Sequence, residues 1–314
     1  MSAVRRPAWS DLPPSVRSRV NEILGGRVIG SAPLAGTESS GQLEVLQTAS
    51  SRWIVRAVGP EAPVTQDRLA AEQAFLALLP DDVPTPPREW FVDEVLPGAG
   101  RWVALGYRDE PVRPPRDPWD EADLAAAVEL AIQVGTLDAP PDLPDALDVI
   151  DVGAWARMAA ARPAGLSAFT PWLADKVEHL ADIAGHAPEA MSGKNLVHGA
   201  LRRESIMITD HGWDATSAHA VDWFMPSRGA AFLDVVLLLP YLRVDGAPPP
   251  EVVLDRHPLA DVDPEALTCA VAAVAGALVL GSMRAPEPGM PHERAVQREA
   301  ARAALEWLRA RLGN

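Results

Sequence analysis

The sequence predicts an α+β protein of two lobes: a small lobe built on an antiparallel sheet with a single helix, and a larger, mainly helical lobe. Three observations carry this. The chain has 314 residues, which suits two units of roughly 100 to 200 residues each. From Arg27 to Tyr107 its segments read, in order, strand, strand, strand, helix, strand, strand. Beyond Tyr107 long helical patterns take over, interrupted by one short β-like patch. The expected division is 1–107 for the small lobe and 108–314 for the large one.

In the small lobe, Leu12, Val16, Val20, Ile23 and Leu24 recur at helical spacing, so a first helix is expected over Trp9–Leu24 with Ser10 as its N-cap, stopped by Gly25-Gly26. Three β-like stretches follow, Arg27–Ala32, Gln42–Gln47 and Trp53–Val58. The small residues of Pro33–Gly41 between the first two suit a tight loop. A helix is expected over Thr65–Leu79, then a hairpin of Glu89–Val95 and Arg101–Tyr107 around Pro97–Gly100. A proline-rich link, Asp109–Pro118, leads into the large lobe. Helices are expected there at Glu121–Leu137, Val152–Ala161, Pro171–Ala184, Ala231–Leu242, Pro264–Leu280 and His292–Leu312. The β-like patch comprises Asn195–Ser205 and Ile206–Ile208, with Ala218–Val221 opposite.

Composition narrows the function classes. Apolar residues make up 48% of the chain, enough for a substantial core, and most of the 31 prolines punctuate the periodic segments. The formal charge is 28 − 43 = −15, which opposes binding to nucleic acid or an anionic membrane surface and suits a cationic substrate or a solvated acidic surface. The single cysteine, Cys269, lies in an apolar run and reads as a small core residue, which points to a reducing, cytoplasmic setting. The longest apolar stretch, Ala270–Leu280, is short for a bilayer span, and no secretory leader pattern is visible.

Chemistry concentrates in Leu196-Val197-His198-Gly199-Ala200-Leu201-Arg202-Arg203-Glu204-Ser205-Ile206-Met207-Ile208, followed by Ala220-Val221-Asp222-Trp223. This resembles the aminoglycoside phosphotransferase family, a branch of the protein-kinase-like fold. There the loop reads His-Gly-Asp-Leu with an Asn five residues after the Asp, and an apolar strand leads to a second Asp. The resemblance implies a loop Asp that accepts the substrate hydroxyl proton, and an Asn and a later Asp that hold Mg²⁺ against the phosphates of ATP. It extends over nearly the whole chain. Trp53–Val58 resembles the strand bearing the nucleotide-binding Lys, with Arg56 at the Lys position. Glu72 stands where the helix Glu pairs with that residue, and Val103–Tyr107 resembles the strand entering the hinge. Arg56, Glu72 and Tyr107 are thus the cofactor-side candidates. Phe232–Pro240 places Asp234 where a structural aspartate braces the loop, and Glu306–Leu312 resembles the family's closing helix.

The departures fall on the reactive positions. Ala200 replaces the base and has no titratable group, Ser205 replaces the Asn, and Arg56 replaces the Lys with a bulkier planar cation. Losing a general base costs about 10²–10⁴-fold, and losing a metal ligand weakens the electrostatic stabilisation on which phosphoryl transfer depends. Glu204 reads either as a displaced base or as a solvated charge paired with Arg202 or Arg203. Asp222 reads either as a retained Mg²⁺ ligand or as a hydrogen-bonded acid before Trp223. His198 reads as a residue that fixes the loop, His211 and His219 lack further partners at zinc-ligand spacing, and Trp155, Trp172, Trp213 and Trp223 read as packing residues. Three functions follow: a pseudo-phosphotransferase that binds a small molecule, or ATP weakly, and acts by binding or on a protein partner; a repurposed enzyme acting on a small metabolite, with natural-product biosynthesis as one setting; and a residual kinase for a cationic small molecule.

Overall fold

A computed structural model describes residues 7–34, 41–80, 82–108, 112–211, 216–286 and 292–313. Gly36 of the loop expected over Pro33–Gly41, the start of the proline-rich link at 109–111, and Trp213 lie outside the described residues. The chain forms two compact units, Met1–Pro80 with Thr85–Pro114, and Asp81–Pro84 with Pro115–Asn314.

The first unit opens with a 3₁₀ turn, Trp9–Asp11, and helix α1 (Pro14–Ile23). The helix starts later than its apolar spacing suggests, and Ser10 lies inside the 3₁₀ turn instead of capping it. The cause is the pair Pro13-Pro14: Pro14 takes the first helical position, where a missing N–H costs nothing. Strands β1 (Gly30–Pro33), β2 (Gln42–Gln47) and β3 (Arg52–Val58) lead to helix α2 (Pro63–Leu76), then to β4 (Arg88–Leu96), β5 (Gly100–Arg108) and the two-residue β6 (Val112–Arg113). The first five strands form one antiparallel sheet in the order β1-β2-β3-β5-β4.

Side chains alternate across this sheet. Leu46, Val55, Ala57, Trp102 and Ala104 face Leu12, Val16, Val20 and Leu24 of the N-terminal helical segment, and this is the core of the unit. Glu44 enters the same face and accepts the backbone N–H of Trp9 at 3.0 Å. Arg19 on α1 clamps Glu94 on β4 through both carboxylate oxygens, at 2.7 and 3.0 Å. Residues one position out of step, Arg56 and Leu105 among them, point to the opposite face, where Gln66 of α2 donates to the carbonyls of Val58 and Arg101.

The second unit contains α3 (Glu121–Thr136), α4 (Ala146–Val149), α5 (Ala154–Ala161), α6 (Val177–Ala184), α7 (Ala187–Met191), strands β7 (Asn195–Val197), β8 (Ile206–Asp210), β9 (Thr216–Ala220) and β10 (Ser227–Gly229), then α8 (Leu233–Val244), α9 (Pro250–Arg256), α10 (Pro264–Ser282) and α11 (Glu293–Arg311). The helix expected over Pro171–Ala184 is broken: a 3₁₀ turn, Leu173–Asp175, precedes α6. Strand β7 ends at Val197, so the rest of the patch expected to Ser205 is a loop with a 3₁₀ turn at Arg203–Ser205. β8 and β9 form an antiparallel hairpin, and β7 pairs with β10.

At the centre, α10 packs against α5, α7, α8 and α11. By length and apolarity alone α10 would reach across a bilayer, a span longer than the apolar run in the sequence suggested, but 67% of its most apolar window is buried inside the fold. Cys269 is only half-buried, because it lies at the margin of the stripe formed by Leu267, Ala270, Val271 and Val274.

Candidate functional site

In the first unit the cofactor-side candidates surround the face of the sheet that carries α2. Arg56 is buried on β3 between Leu43 of β2 and Leu105 of β5. Glu72 is buried on α2, and its carboxylate receives the Arg88 guanidinium at 2.8 Å, with the two side chains 2% and 4% exposed. Arg88 also donates to the Tyr107 hydroxyl at 3.2 Å and to Gln73 at 2.9 Å. Arg88 was not legible as a site residue. Its one signal is register, since it opens β4 directly opposite Tyr107 of β5. Charges withdrawn this far from water are stable only when paired and hydrogen-bonded, and Arg88 meets that need through its two terminal nitrogens with three partners, its buried Nε being left without one.

In the second unit the loop after β7 is fixed from every side. His198 is fully buried and Asp234, at the start of α8, is 1% exposed. The Asp234 carboxylate accepts the backbone N–H of His198 at 2.7 Å and that of Gly199 at 2.9 Å, one on each oxygen. Burial pushes this carboxyl up to about 7, against the pull of the two N–H groups. The His198 ring accepts the Ala200 N–H at Nδ1, 3.3 Å away, so its proton sits on Nε2 and is donated to the Val221 carbonyl at 3.1 Å. Burial lowers this imidazole to about 4, so it is neutral at physiological pH. Trp223 packs on it with ring centroids 4.4 Å apart. Gly199 has φ +77, and a Cβ there would sit 2.5 Å from the Met225 carbonyl oxygen, so only glycine fits.

Ser205 closes the loop upon itself. Its buried hydroxyl accepts the Arg202 N–H at 2.8 Å and lies 3.1 Å from the carbonyls of both Ala200 and Arg202, to either of which it can donate. The Ser205 carbonyl accepts the Val221 N–H at 2.9 Å, which ties the loop to the chain leaving β9. Neither arginine of the loop has a carboxylate of the loop as its visible partner. Arg203 donates to Asp245 at 3.1 Å and to the Arg116 carbonyl at 2.7 Å, and stacks 4.9 Å over Trp119. Arg202 stacks 4.8 Å over Tyr241. Glu204 is exposed on the 3₁₀ turn.

Asp222 is half-buried and takes φ +63, left-handed backbone that an Asp adopts at a cost of order 1–3 kcal/mol. Its carbonyl accepts the Phe224 N–H at 2.8 Å. Of the remaining sequence candidates, His211 bonds Ser217 at 2.7 Å, and among the described residues no group of three or more His, Cys, Asp or Glu is placed to hold a metal ion. Trp155 and Trp223 are buried, whereas Trp172 is half-buried.

No protein-family model matches the chain, and no curated protein matches it by sequence. Solved structures do match over nearly the whole length. A choline kinase from Streptococcus pneumoniae is 13% identical with a TM-score of 0.53, over 94% of this chain and 98% of its own. A spectinomycin phosphotransferase in complex with ADP and spectinomycin is 9% identical with a TM-score of 0.52, over 93% and 98%. The GDP complex of an aminoglycoside 2′-phosphotransferase is 16% identical with a TM-score of 0.57, over 96% of both chains. The class is therefore defined by fold: an α+β, two-lobed, protein-kinase-like phosphotransferase fold. Within that class, the chain has the fold of the aminoglycoside phosphotransferases and small-molecule kinases.

Proposed function

We propose that this chain is a pseudo-phosphotransferase, a kinase-like protein of the cytoplasm that binds a small molecule or a nucleotide without performing conventional phosphoryl transfer. One observation carries the reading. The loop that would supply a base has Ala200 in its place, and the hydroxyl that replaces the amide ligand is spent inside the loop, accepting the Arg202 N–H and donating to the carbonyl of Ala200 or of Arg202. Asp222 is left as the one carboxylate at the positions that the resemblance assigns to Mg²⁺. A magnesium ion keeps near-octahedral oxygen coordination and is held by one or two carboxylates together with substrate phosphates and waters, so Asp222 alone, beside a committed hydroxyl, offers only the lower end of that set. Arg56, Glu72 and Tyr107 in the first unit are proposed as the nucleotide-side residues, with Arg88 supporting Glu72. The solved neighbours include ADP and GDP complexes, which favours a nucleotide as the first ligand to test.

A second reading, a repurposed enzyme acting on a small metabolite, draws on Asp222. A strained left-handed backbone at a polar residue is a hallmark of functional sites. Melting curves with ATP and Mg²⁺ separate the readings. Ligand that binds only the folded chain raises its melting temperature by mass action. Stabilisation by ATP without Mg²⁺, unchanged in Asp222→Ala, is the expected result. A shift that requires Mg²⁺ and vanishes in Asp222→Ala supports a retained metal site and the second reading. Turnover of ATP by the natural chain on an amine or alcohol acceptor would sink the pseudoenzyme reading. Restoring Ala200→Asp together with Ser205→Asn should confer at most slow phosphoryl transfer, because Arg56 remains in place of the compact ammonium.

A further inference from the structure

The two neighbouring arginines of the loop have opposite fates. Arg203 is spent on Asp245, the Arg116 carbonyl and Trp119. Arg202 is half-buried, with its guanidinium 4.8 Å over the Tyr241 ring of α8. Among the described residues that guanidinium has neither a hydrogen-bond acceptor nor a carboxylate at ion-pair distance. A guanidinium stacked by one face keeps its in-plane donors open, the geometry that a carboxylate matches with two parallel bonds. Leu201 is buried, while Ala200 before it and Arg202 after it are half-buried. The open cation and the position of the absent base therefore share the face of the loop that solvent reaches.

The same ring has an acidic side. Glu293, the first residue of α11, keeps one carboxylate oxygen buried without a hydrogen-bond donor, although its side chain is 20% exposed. The adjacent Arg294 guanidinium lies 3.8 Å away, beyond hydrogen-bonding reach, and turns to Gln297 at 2.8 Å and to the Ala285 carbonyl at 3.3 Å. Glu204 is exposed on the loop itself. Burial raises the Tyr241 hydroxyl above its ordinary value, Arg202 opposes that rise, and Glu293 and Glu204 add to it, so all three charges lie around this one residue. Arg202 nevertheless pairs with neither carboxylate. A cation and carboxylates that border one ring without meeting leave hydrogen bonds unmade on both sides.

We propose that this place binds a small zwitterion, an amino acid whose carboxylate takes the Arg202 guanidinium and whose ammonium takes Glu293 and Glu204. Two carboxylates against one cation disfavour a simple anion, and the open guanidinium disfavours a simple cation. A molecule with both charges satisfies both sides, and its carbon chain covers the ring.

This ligand class rests on the reading of the loop as a small-molecule site and does not need phosphoryl transfer to be lost. The test is calorimetric titration of the full chain, without nucleotide, with L-2-aminobutyrate, 4-aminobutyrate, butyrate and butylamine. At least one of the two amino acids should bind saturably at millimolar concentration or below, and which one does so gives the spacing of the charges. Butyrate and butylamine should each bind about tenfold more weakly or worse. Arg202→Gln should remove the advantage of the amino acid over butylamine, and Glu293→Gln with Glu204→Gln its advantage over butyrate. Each ratio is taken within one variant, so a general loss of stability does not imitate it. No saturable binding of either amino acid, a single-charge compound that binds as tightly, or a full advantage retained in either folded variant would each overturn the proposal. Failure of the pseudoenzyme reading shows separately, as turnover of ATP, and leaves these titrations unchanged.

Discussion

Ser205 shows how much one hydroxyl does when its partners are backbone groups. It satisfies the Arg202 N–H and a carbonyl of the same loop, and no part of the residue reaches solvent freely. Ser205→Ala therefore leaves a half-buried N–H without its acceptor, and the loss should be about 1 kcal/mol in urea unfolding. A loss under about 0.5 kcal/mol, the ordinary range for surface changes, would mean that water replaces the hydroxyl. The resemblance singles out position 205 but not what the serine does, because the direction of its hydrogen bonds depends on the backbone path from Ala200 to Ser205. The same limit hid Arg88. Nothing in the composition of β4 separates it from the other charges of that strand, and only the register with β5 brings it to Tyr107 and Glu72. Asp234 was legible because a motif position carried it, and the structure adds the two N–H groups that it serves.

Elements were legible where a single periodicity ran uninterrupted between clear stops. Strand β2 keeps the bounds Gln42–Gln47 of the β-like stretch read in the sequence, and α11 differs by one residue at each end. Where proline or a tight turn preserves apolar spacing, the pattern misleads. Leu173, Val177 and Leu180 recur as on one helix, yet Lys176 at φ −114 ends a 3₁₀ turn before α6 begins. Short elements such as α9 leave too few residues for a period to show. Helix packing was legible only as burial, not as partners. Gly276 of α10 shows what was missed: it permits the Trp155 indole of α5 to lie against the helix and donate to the Ala272 carbonyl at 2.7 Å. A Cβ at Gly276 would stand 2.6 Å from the indole nitrogen. Gly276→Ala gains helix propensity of about 1 kcal/mol but must displace a fully buried tryptophan, and overpacking costs about 1–3 kcal/mol. A net loss of stability, with a changed near-ultraviolet tryptophan signal, is the expected outcome. A stabilised variant with an unaltered signal would show that α5 shifts without cost.

At the scale of the whole molecule, the buried pair behind the loop links folding to pH. Burial lowers His198 from 6.5 to about 4, so between those values the unfolded chain binds the extra proton and stability rises with pH. Burial raises Asp234 from 3.8 to about 7, so between those values the folded chain holds the extra proton and stability falls as pH rises. Each slope has a limit of roughly 1.4 kcal/mol per pH unit. The two therefore nearly cancel between about pH 4 and 6.5, and the loop tolerates mild acid although both groups are withdrawn from water. Asp234→Asn removes one member of the pair and exchanges one N–H acceptor for an amide donor, so the variant is weaker throughout. Its deficit relative to the natural chain should shrink from pH 4 to 7, by up to roughly 1.4 kcal/mol per unit, while its own stability rises with pH under the His198 slope. Urea unfolding at half-unit pH steps measures both curves. A deficit that stays constant from pH 4 to 7 would instead mean that Asp234 stays ionised throughout in the folded chain, with the His198 and Gly199 N–H groups outweighing burial, and that the loop is held by a buried charge.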